Sequence, residues 1–526
     1  MKNNAKTLLL ILDGFGIAEP SRGNAISLAK TPTFDFLVQN YPSAALMAAG
    51  PAVGMPFGEN GNSEVGHFAT GAGRVCPQSI TQITGSIEDG SFFKNSTLLK
   101  AADHVKKNNS SLHIVGLISP GGLHAYDEHA IALIKFAKQQ KISRLYIHMI
   151  TDGEDTHTPA LETYKKLKAA FKKYDCGKIA TIFGRFTAMD RAQHWDRTKN
   201  TWDAMVLGQG KIFNSPEEAF LKYKEENVSD NLIPPTIIED QQKEGRIKDN
   251  DAVLFINYRP ERMIQLITSF VNNNFNKFDI SLMPKNVFVA TMAKYLDDQK
   301  APVIFSREII LNPLAQVLDD NNVKHLHIAE TEKTAHVKMF FNAMRLNPFK
   351  LESDLIIPSK PTKNEYADIP KMSAEEITKE IIKAIEGEKF NFIVANFANA
   401  DMVSHTGNLS AAIKAVEYID DAINKIYEVA IKNNFTFIIT ADHGNIEELL
   451  GPDQKTPDTE HSTNPVPFIL IDKKYQKATS YKKLSDLAFV NPLGGLFDVA
   501  PTVLEILNIP KPKEMSGESL LGALTK

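Results

Sequence analysis

Apolar residues along this chain come in short unbroken runs that stop abruptly at a polar or acidic residue. The runs are TLLLILDG (7–14), LHIVGLISPGG (112–122), RLYIHMITDGED (144–155), KIATIFGR (178–185), AVLFINYRP (252–260), NVFVATMAKY (286–295), NFIVANFANADM (391–402) and FTFIITADHGN (435–445). Apolar stretches of this length without alternation predict strands covered on both faces, as in a parallel sheet. Between many of them lie helical patterns, including HAIALIKFAKQQ (129–140), EEITKEIIKAIEG (375–387) and SAAIKAVEYIDDAINKIYEVAIKN (410–433). The alternation predicts an α/β protein with doubly wound sheets.

Ligands of open α/β sheets gather beyond the carboxyl ends of the strands. Two kinds of residue stand there. One set is acidic and imidazole-bearing (Asp13, Asp401, Asp442, His443), the other guanidinium-bearing (Arg185, Arg191, Arg259, Arg262). Along the chain the first set comes before and after the second. One domain inserted into another produces that order: an outer domain of residues 1–76 and 308–526, and an inner domain of residues 77–307. Prolines and a change of pattern in RVCPQS and APVIFSREIILNP mark the crossings.

Composition narrows the function. The 526 residues are 43% hydrophobic and 23% charged, which suits a folded soluble chain of roughly two to four domains. A formal net charge of −4 offers no basic surface for nucleic acid. Two cysteines, Cys76 and Cys176, make neither a disulfide scaffold nor a cysteine zinc site, and a cytoplasmic location fits. Asp13 cuts the first apolar run too short for a signal peptide, and no other run approaches the ~20 residues of a membrane span.

DMVSH sets Asp401 and His405 four apart, on one face of a helical turn. ADHGN adds Asp442 and His443 at another strand end, and TEHSTNPVPFI adds His461 before a further apolar run. Each histidine alone reads as a structural residue. Together with Asp13 they form six oxygen or nitrogen donors at the mouths of neighbouring strands, a set costly to desolvate without cations. Mixed carboxylate and imidazole donors suit manganese or zinc better than calcium. Such a site gives the serine of GNSEVGH, Ser63, a role. A hydroxyl near a divalent cation ionises more readily, and a helix starting there favours a phosphoryl group, so Ser63 reads as a phosphate-accepting nucleophile.

GRFTAMDR carries Arg185 and Arg191, and NYRPERM carries Arg259 and Arg262, each pair after a strand. Lys333 in AETEKTAH is a further cation. Guanidinium forks grip phosphate and carboxylate oxygens, which points to a small acid with two anionic groups.

LDGFG, GNSEVGH, GAGR, AMDR, NYRPER, AETEK, DMVSHTG, TADHGN, HSTNPVPF and DVAPT resemble, in order and spacing, the cofactor-independent phosphoglycerate mutases of the alkaline phosphatase superfamily. The resemblance implies a metal-bearing phosphatase-like domain and an inserted transferase domain that closes on it. It implies two manganese ions, with zinc, cobalt or magnesium as substitutes, and no 2,3-bisphosphoglycerate. By position Asp13, Ser63, Asp442 and His443 match the ligands of one ion, and Asp401, His405 and His461 those of the other. Ser63 matches the residue transiently phosphorylated, and His124, Asp155, Arg185, Arg191, Arg259, Arg262 and Lys333 match substrate-binding positions. It implies transfer of phosphate from the 3-hydroxyl of glycerate to the enzyme and back to the 2-hydroxyl, in a monomeric cytoplasmic enzyme whose partner is a small phosphorylated acid.

The departures cluster in or beside the inner domain. The family's DGRDT reads DGEDT, putting Glu154 in place of an arginine, and SDGGVHSH reads SPGGLHAY, with Pro120, Leu123, Ala125 and Tyr126 around His124. Pro77 replaces a tyrosine near the first crossing. A carboxylate ~4 Å from a bound anion costs on the order of 4 kcal/mol at an effective dielectric near 20. Glu154 must therefore turn away, pair with an arginine or meet a different substrate, and a phosphomonoesterase or a mutase of another phosphorylated acid is the alternative reading.

Overall fold

The computed structural model describes residues 5–241, 243–272, 274–296, 298–306, 310–362 and 365–525. Its contacts divide the chain into two compact units, Met1–Gln78 with Ile309–Lys526, and Ser79–Glu308. Gln78 still belongs to the first unit because its N–H donates to the carbonyl of Gly54 at 2.9 Å. The second crossing expected from sequence, between residues 307 and 308, lies outside the described residues.

Strands β1 (Thr7–Leu12) and β2 (Ser43–Met47) open the first unit. The second unit holds β3 (Leu112–Leu117), β4 (Leu145–Thr151), β5 (Lys178–Gly184), β6 (Lys211–Phe213), β7 (Thr236–Ile238), β8 (Ala252–Phe255) and β9 (Phe288–Thr291). The first unit resumes with β10 (His325–Glu330), β11 (Glu352–Ile357), β12 (Phe392–Phe397), β13 (Thr436–Ala441), β14 (Val466–Ile471) and β15 (Gly494–Gly495).

The first unit's 8-stranded sheet runs β11-β10-β12-β1-β13-β14-β2-β15. The five strands from β11 to β13 are parallel, and β14 is antiparallel to both β13 and β2. Every residue of β1, β10, β12 and β13 is buried, as unbroken apolar runs require when both faces are covered. β1 lies between β12 and β13, in register from Thr7 to Leu12 with both. The carboxyl ends of three adjacent strands thus open at one edge, delivering Asp13 and Asp442 from loops and Asp401 from the helix Asn399–Ser404.

The second unit's 7-stranded sheet runs β6-β7-β5-β4-β3-β8-β9, parallel except for the β5–β7 pair. Its own apolar clusters include Leu112, Ile147 and Leu254 in one and Val115, Phe183 and Phe255 in the other.

All eight runs picked out by pattern are strands, and the three helical patterns are the helices Asp127–Gln139, Ala374–Glu386 and Leu409–Lys432. Pattern reading passed over β2, β6, β7, β10, β11 and β15. In β10, His325 and His327 interrupt the apolar run yet are wholly buried, His325 Nδ1 bonded to His327 Nε2 and His327 Nδ1 to the carbonyl of Val337.

Candidate metal centre

Ser63 is the first residue of the helix Ser63–Ala72. Asn62 caps that helix, its side chain accepting from the N–H of Val65 at 3.1 Å. The Ser63 hydroxyl is buried at the carboxyl edge of the first sheet. It lies 2.9 Å from Asp13 Oδ1, 3.0 Å from His443 Nε2 and 2.9 Å from Lys333 Nζ. Asp13 follows β1, and the next residue must be glycine. Gly14 sits at φ +69, and a Cβ there would lie 2.7 Å from the Cα of Asp401. Its N–H donates to Asp442 Oδ1 at 3.1 Å, tying the β1 loop to the β13 loop.

Two candidate ligand groups share this edge. Asp401, His405 and His461 form one, with both imidazole Nε2 atoms 3.2 Å from Asp401 Oδ1. Asp13 belongs to the other, with His443 and Asp401 or with His67 and Asp442 as companions. Lys333, which follows β10, donates to Asp13 Oδ1 at 2.6 Å and to Asp401 Oδ2 at 2.6 Å, joining the groups. Burial would raise the Asp13 and Asp401 carboxyls, but the Lys333 ammonium outweighs it and holds both far below the usual carboxylate range. Burial likewise opposes the charge on Lys333, and Asp13 and Asp401 push it up instead. His443 is pulled down by burial and pushed up to about 10 by Asp442, Asp13 and Asp401. The hydrogen bond to Asp401 raises His405.

These residues fit divalent cations. Three buried carboxylates, Asp13, Asp401 and Asp442, outnumber the two buried cations beside them, the Lys333 ammonium and the His443 imidazole, and Asp442 Oδ2 has no hydrogen-bond partner among the described residues. His67 Nδ1 lies 3.0 Å from that oxygen, but its proton is committed elsewhere. Asn396 donates to His67 Nε2 at 3.1 Å, so the proton sits on Nδ1 and points at the Ser63 carbonyl 2.9 Å away. Uncompensated buried negative charge is the condition a bound cation relieves.

Glu447 holds the ligand loops together. Its carboxylate accepts from the N–H of Gly16 at 3.0 Å and of Asn445 at 2.8 Å, and from Asn464 Nδ2 and the Ser462 hydroxyl. Those partners follow Asp13, His443 and His461 in the chain. Asn445 Nδ2 in turn donates to Asp401 Oδ1 at 3.1 Å.

The second unit has a cluster of its own at the carboxyl edge of its sheet. Arg185, after β5, is buried, and its Nη1 lies 2.7 Å from Asp152 Oδ1 and 2.8 Å from Asp155 Oδ2, both after β4. Burial lowers the guanidinium's affinity for its proton, and Asp155 and Asp152 more than restore it. His124, after β3, lies 3.9 Å from Asp155 and 3.6 Å from Glu261. Burial depresses its imidazole, Asp155 works against that, and Arg185 adds to it. Glu154 turns toward Arg185, with Oε2 3.4 Å from Nε, so of the three outcomes open to this charge reversal the pairing is the one found. Arg259 joins the cluster through its N–H, 3.4 Å from the His124 carbonyl, while Arg191 is exposed and Arg262 half-buried.

Residues 83–297 match the family model described as "BPG-independent PGAM N-terminus", and residues 356–509 match the one described as "Sulfatase". A curated relative from Clostridioides difficile, a 2,3-bisphosphoglycerate-independent phosphoglycerate mutase, is 42% identical, over 98% of this chain and 98% of its own. One from Methanosarcina barkeri, named 2,3-bisphosphoglycerate-independent phosphoglycerate mutase 1, is 43% identical with the same coverage. The chain belongs to the 2,3-bisphosphoglycerate-independent phosphoglycerate mutase family. Among solved structures, the Leishmania mexicana phosphoglycerate mutase determined at low cobalt concentration aligns with a TM-score of 0.69 and 29% identity, over 98% of this chain and 97% of that one.

Within this family fold, the seven residues expected as metal ligands lie together at one edge of the first sheet. Of the substrate positions, His124, Asp155 and Arg185 gather in the second unit. Lys333, grouped with the arginines for its charge, stands instead among the carboxylates of the first. Sequence reading missed His67, Asn396, Asn445 and Glu447. His67 carried a signal, lying one helical turn beyond Ser63 in the same motif. Asn396 carried none, as a polar residue inside the apolar run of β12.

Proposed function

We propose that this mutase interconverts 3-phosphoglycerate and 2-phosphoglycerate through a phosphoserine at Ser63. The supporting observation is the Ser63 hydroxyl at a capped helix start, within 3.0 Å of Asp13, His443 and Lys333 in a pocket of excess buried negative charge. Asp13, Ser63, Asp442 and His443 would hold one divalent cation and Asp401, His405 and His461 a second, manganese by the family resemblance, with zinc also suited to these donors. Such ions supply Lewis acidity toward phosphoryl oxygens and ease ionisation of a neighbouring hydroxyl.

The chain's own residues account for the rest. The Ser63 hydroxyl donates to Asp13 Oδ1 and accepts from the Lys333 ammonium, which together fix the position of its oxygen. The Ser63 oxygen–phosphorus bond forms, the bond from phosphorus to the glycerate 3-oxygen breaks, and the proton leaving Ser63 ends on that oxygen. Return of the phosphoryl group to the 2-oxygen reverses these steps and restores the hydroxyl. Backbone N–H groups of the first helical turn favour the phosphoryl anion, and the Lys333 ammonium stabilises its charge. In the second unit, His124, Asp155 and the arginines are the residues suited to bind a small acid, its carboxylate against guanidinium.

No helix is long and apolar enough to cross a membrane among the described residues, and we read the enzyme as a cytoplasmic monomer. Incubating the purified protein with 3-phosphoglycerate and manganese, while following 2-phosphoglycerate and free phosphate, tests the reading. Formation of 2-phosphoglycerate with no matching release of phosphate is expected. Phosphate release without isomer would make the enzyme a phosphomonoesterase.

A further inference from the structure

The second unit's cluster contains three buried polar atoms without a hydrogen-bond partner among the described residues: Arg185 Nε, His124 Nδ1 and Asp155 Oδ2. Asp155 Oδ2 lies 2.8 Å from Arg185 Nη1 as an ion pair, without a hydrogen bond between them. The Nε hydrogen of Arg185 faces Glu154 Oε2 at 3.4 Å, also without bonding to it. A buried guanidinium N–H left this way is costly, and an anion better aligned than Glu154 would satisfy it.

Glu154 is held in that position by its surroundings. Its N–H donates to Asp152 Oδ1 at 3.2 Å, and Asn231 Nδ2 donates to its other carboxylate oxygen at 3.3 Å. The preceding residue, Gly153, has φ +79, and a Cβ on it would lie 2.8 Å from the N of Asn231. The loop therefore cannot relax easily by shifting backbone, but the Glu154 side chain is 41% exposed, with room to swing outward once its contact with Asn231 breaks. Asp152 and Asp155 already neutralise the other side of Arg185, so the cluster carries more negative charge than the guanidinium can balance.

We propose that Glu154 is a specificity-determining residue that acts as an internal stand-in for a ligand carboxylate: it occupies the Nε edge of Arg185, and an anionic ligand binds by displacing it. The inference rests on the reading of this cluster as the glycerate-holding part of the enzyme. It sets the affinity of this chain for small carboxylates below what Arg185 alone would allow, and favours ligands anionic enough to win the exchange.

The test compares wild type with Glu154→Gln and Glu154→Arg, measuring the dissociation constant of 3-phosphoglycerate by calorimetry in manganese buffer, with circular dichroism confirming that each variant folds. Glu154→Gln, nearly the same shape without the charge, should bind on the order of tenfold more tightly, and Glu154→Arg more tightly still. Affinities unchanged or weakened in both variants overturn the proposal, as does an absence of measurable binding in all three proteins. Isomerisation by the wild type is assayed separately. If it fails while Glu154→Gln binds more tightly, the assigned reaction is wrong and the stand-in role survives.

Discussion

Lys333 spends its three ammonium protons on Asp13, Ser63 and Asp401, so a single side chain neutralises one carboxylate from each candidate ligand group and fixes the nucleophile between them. A lysine so placed opposes a divalent cation electrostatically while favouring the phosphoryl anion that a cation also favours. Substituting Lys333→Met removes the ammonium and keeps much of the bulk. Manganese should then bind about tenfold more tightly by calorimetry, while isomerase turnover falls at least about a hundredfold; unchanged manganese affinity would mean that the ammonium and the ion do not compete. Charge alone marked Lys333 in the sequence as an anion binder. Its place among carboxylates was not legible, because it depends on β10 pairing with β12, and β10 hides its strand character behind two buried histidines.

At the scale of elements, the centre depends on how closely the Ser63–Ala72 helix approaches the strand ends. A Cβ on Gly66 would lie 2.2 Å from the carbonyl oxygen of Asp442, and one on Gly71 would lie 1.9 Å from that of Phe341. Backbone packs on backbone at both points, and neither carbonyl can step aside as a flexible side chain could. Gly66→Ala should force the helix away from the β13 loop, costing roughly 2–3 kcal/mol in urea unfolding and weakening manganese binding. Wild-type values of both would show that the contact is slack. The glycines of this motif were plain in the sequence, and a helix beginning at Ser63 was one of its readings. What they face was not, since residues 66 and 442 meet only through the order of strands in the sheet. The same holds for Glu447: an acidic residue after HGN looks like surface until the loops of Gly16 and Ser462 are brought around it.

At the scale of the molecule, the order of side-chain chemistries along the chain was the most informative feature. Carboxylates and imidazoles at both ends, with arginines between, correspond to two sheets, each with its own core and its own polar edge. Strands buried on both faces announce themselves as continuous apolar runs. The short β6 and β7, and β11, whose residues are all half-buried, carry no such mark. The proposed chemistry converges on the Ser63 oxygen, and this is the point to test. Radiolabelled 3-phosphoglycerate mixed with enzyme and manganese, quenched in acid within one turnover and mapped by mass spectrometry, should place the label on Ser63. Ser63→Ala should carry none and lose at least about a thousandfold in turnover. Label on any other residue, or a Ser63→Ala enzyme that isomerises at the wild-type rate, would contradict the account.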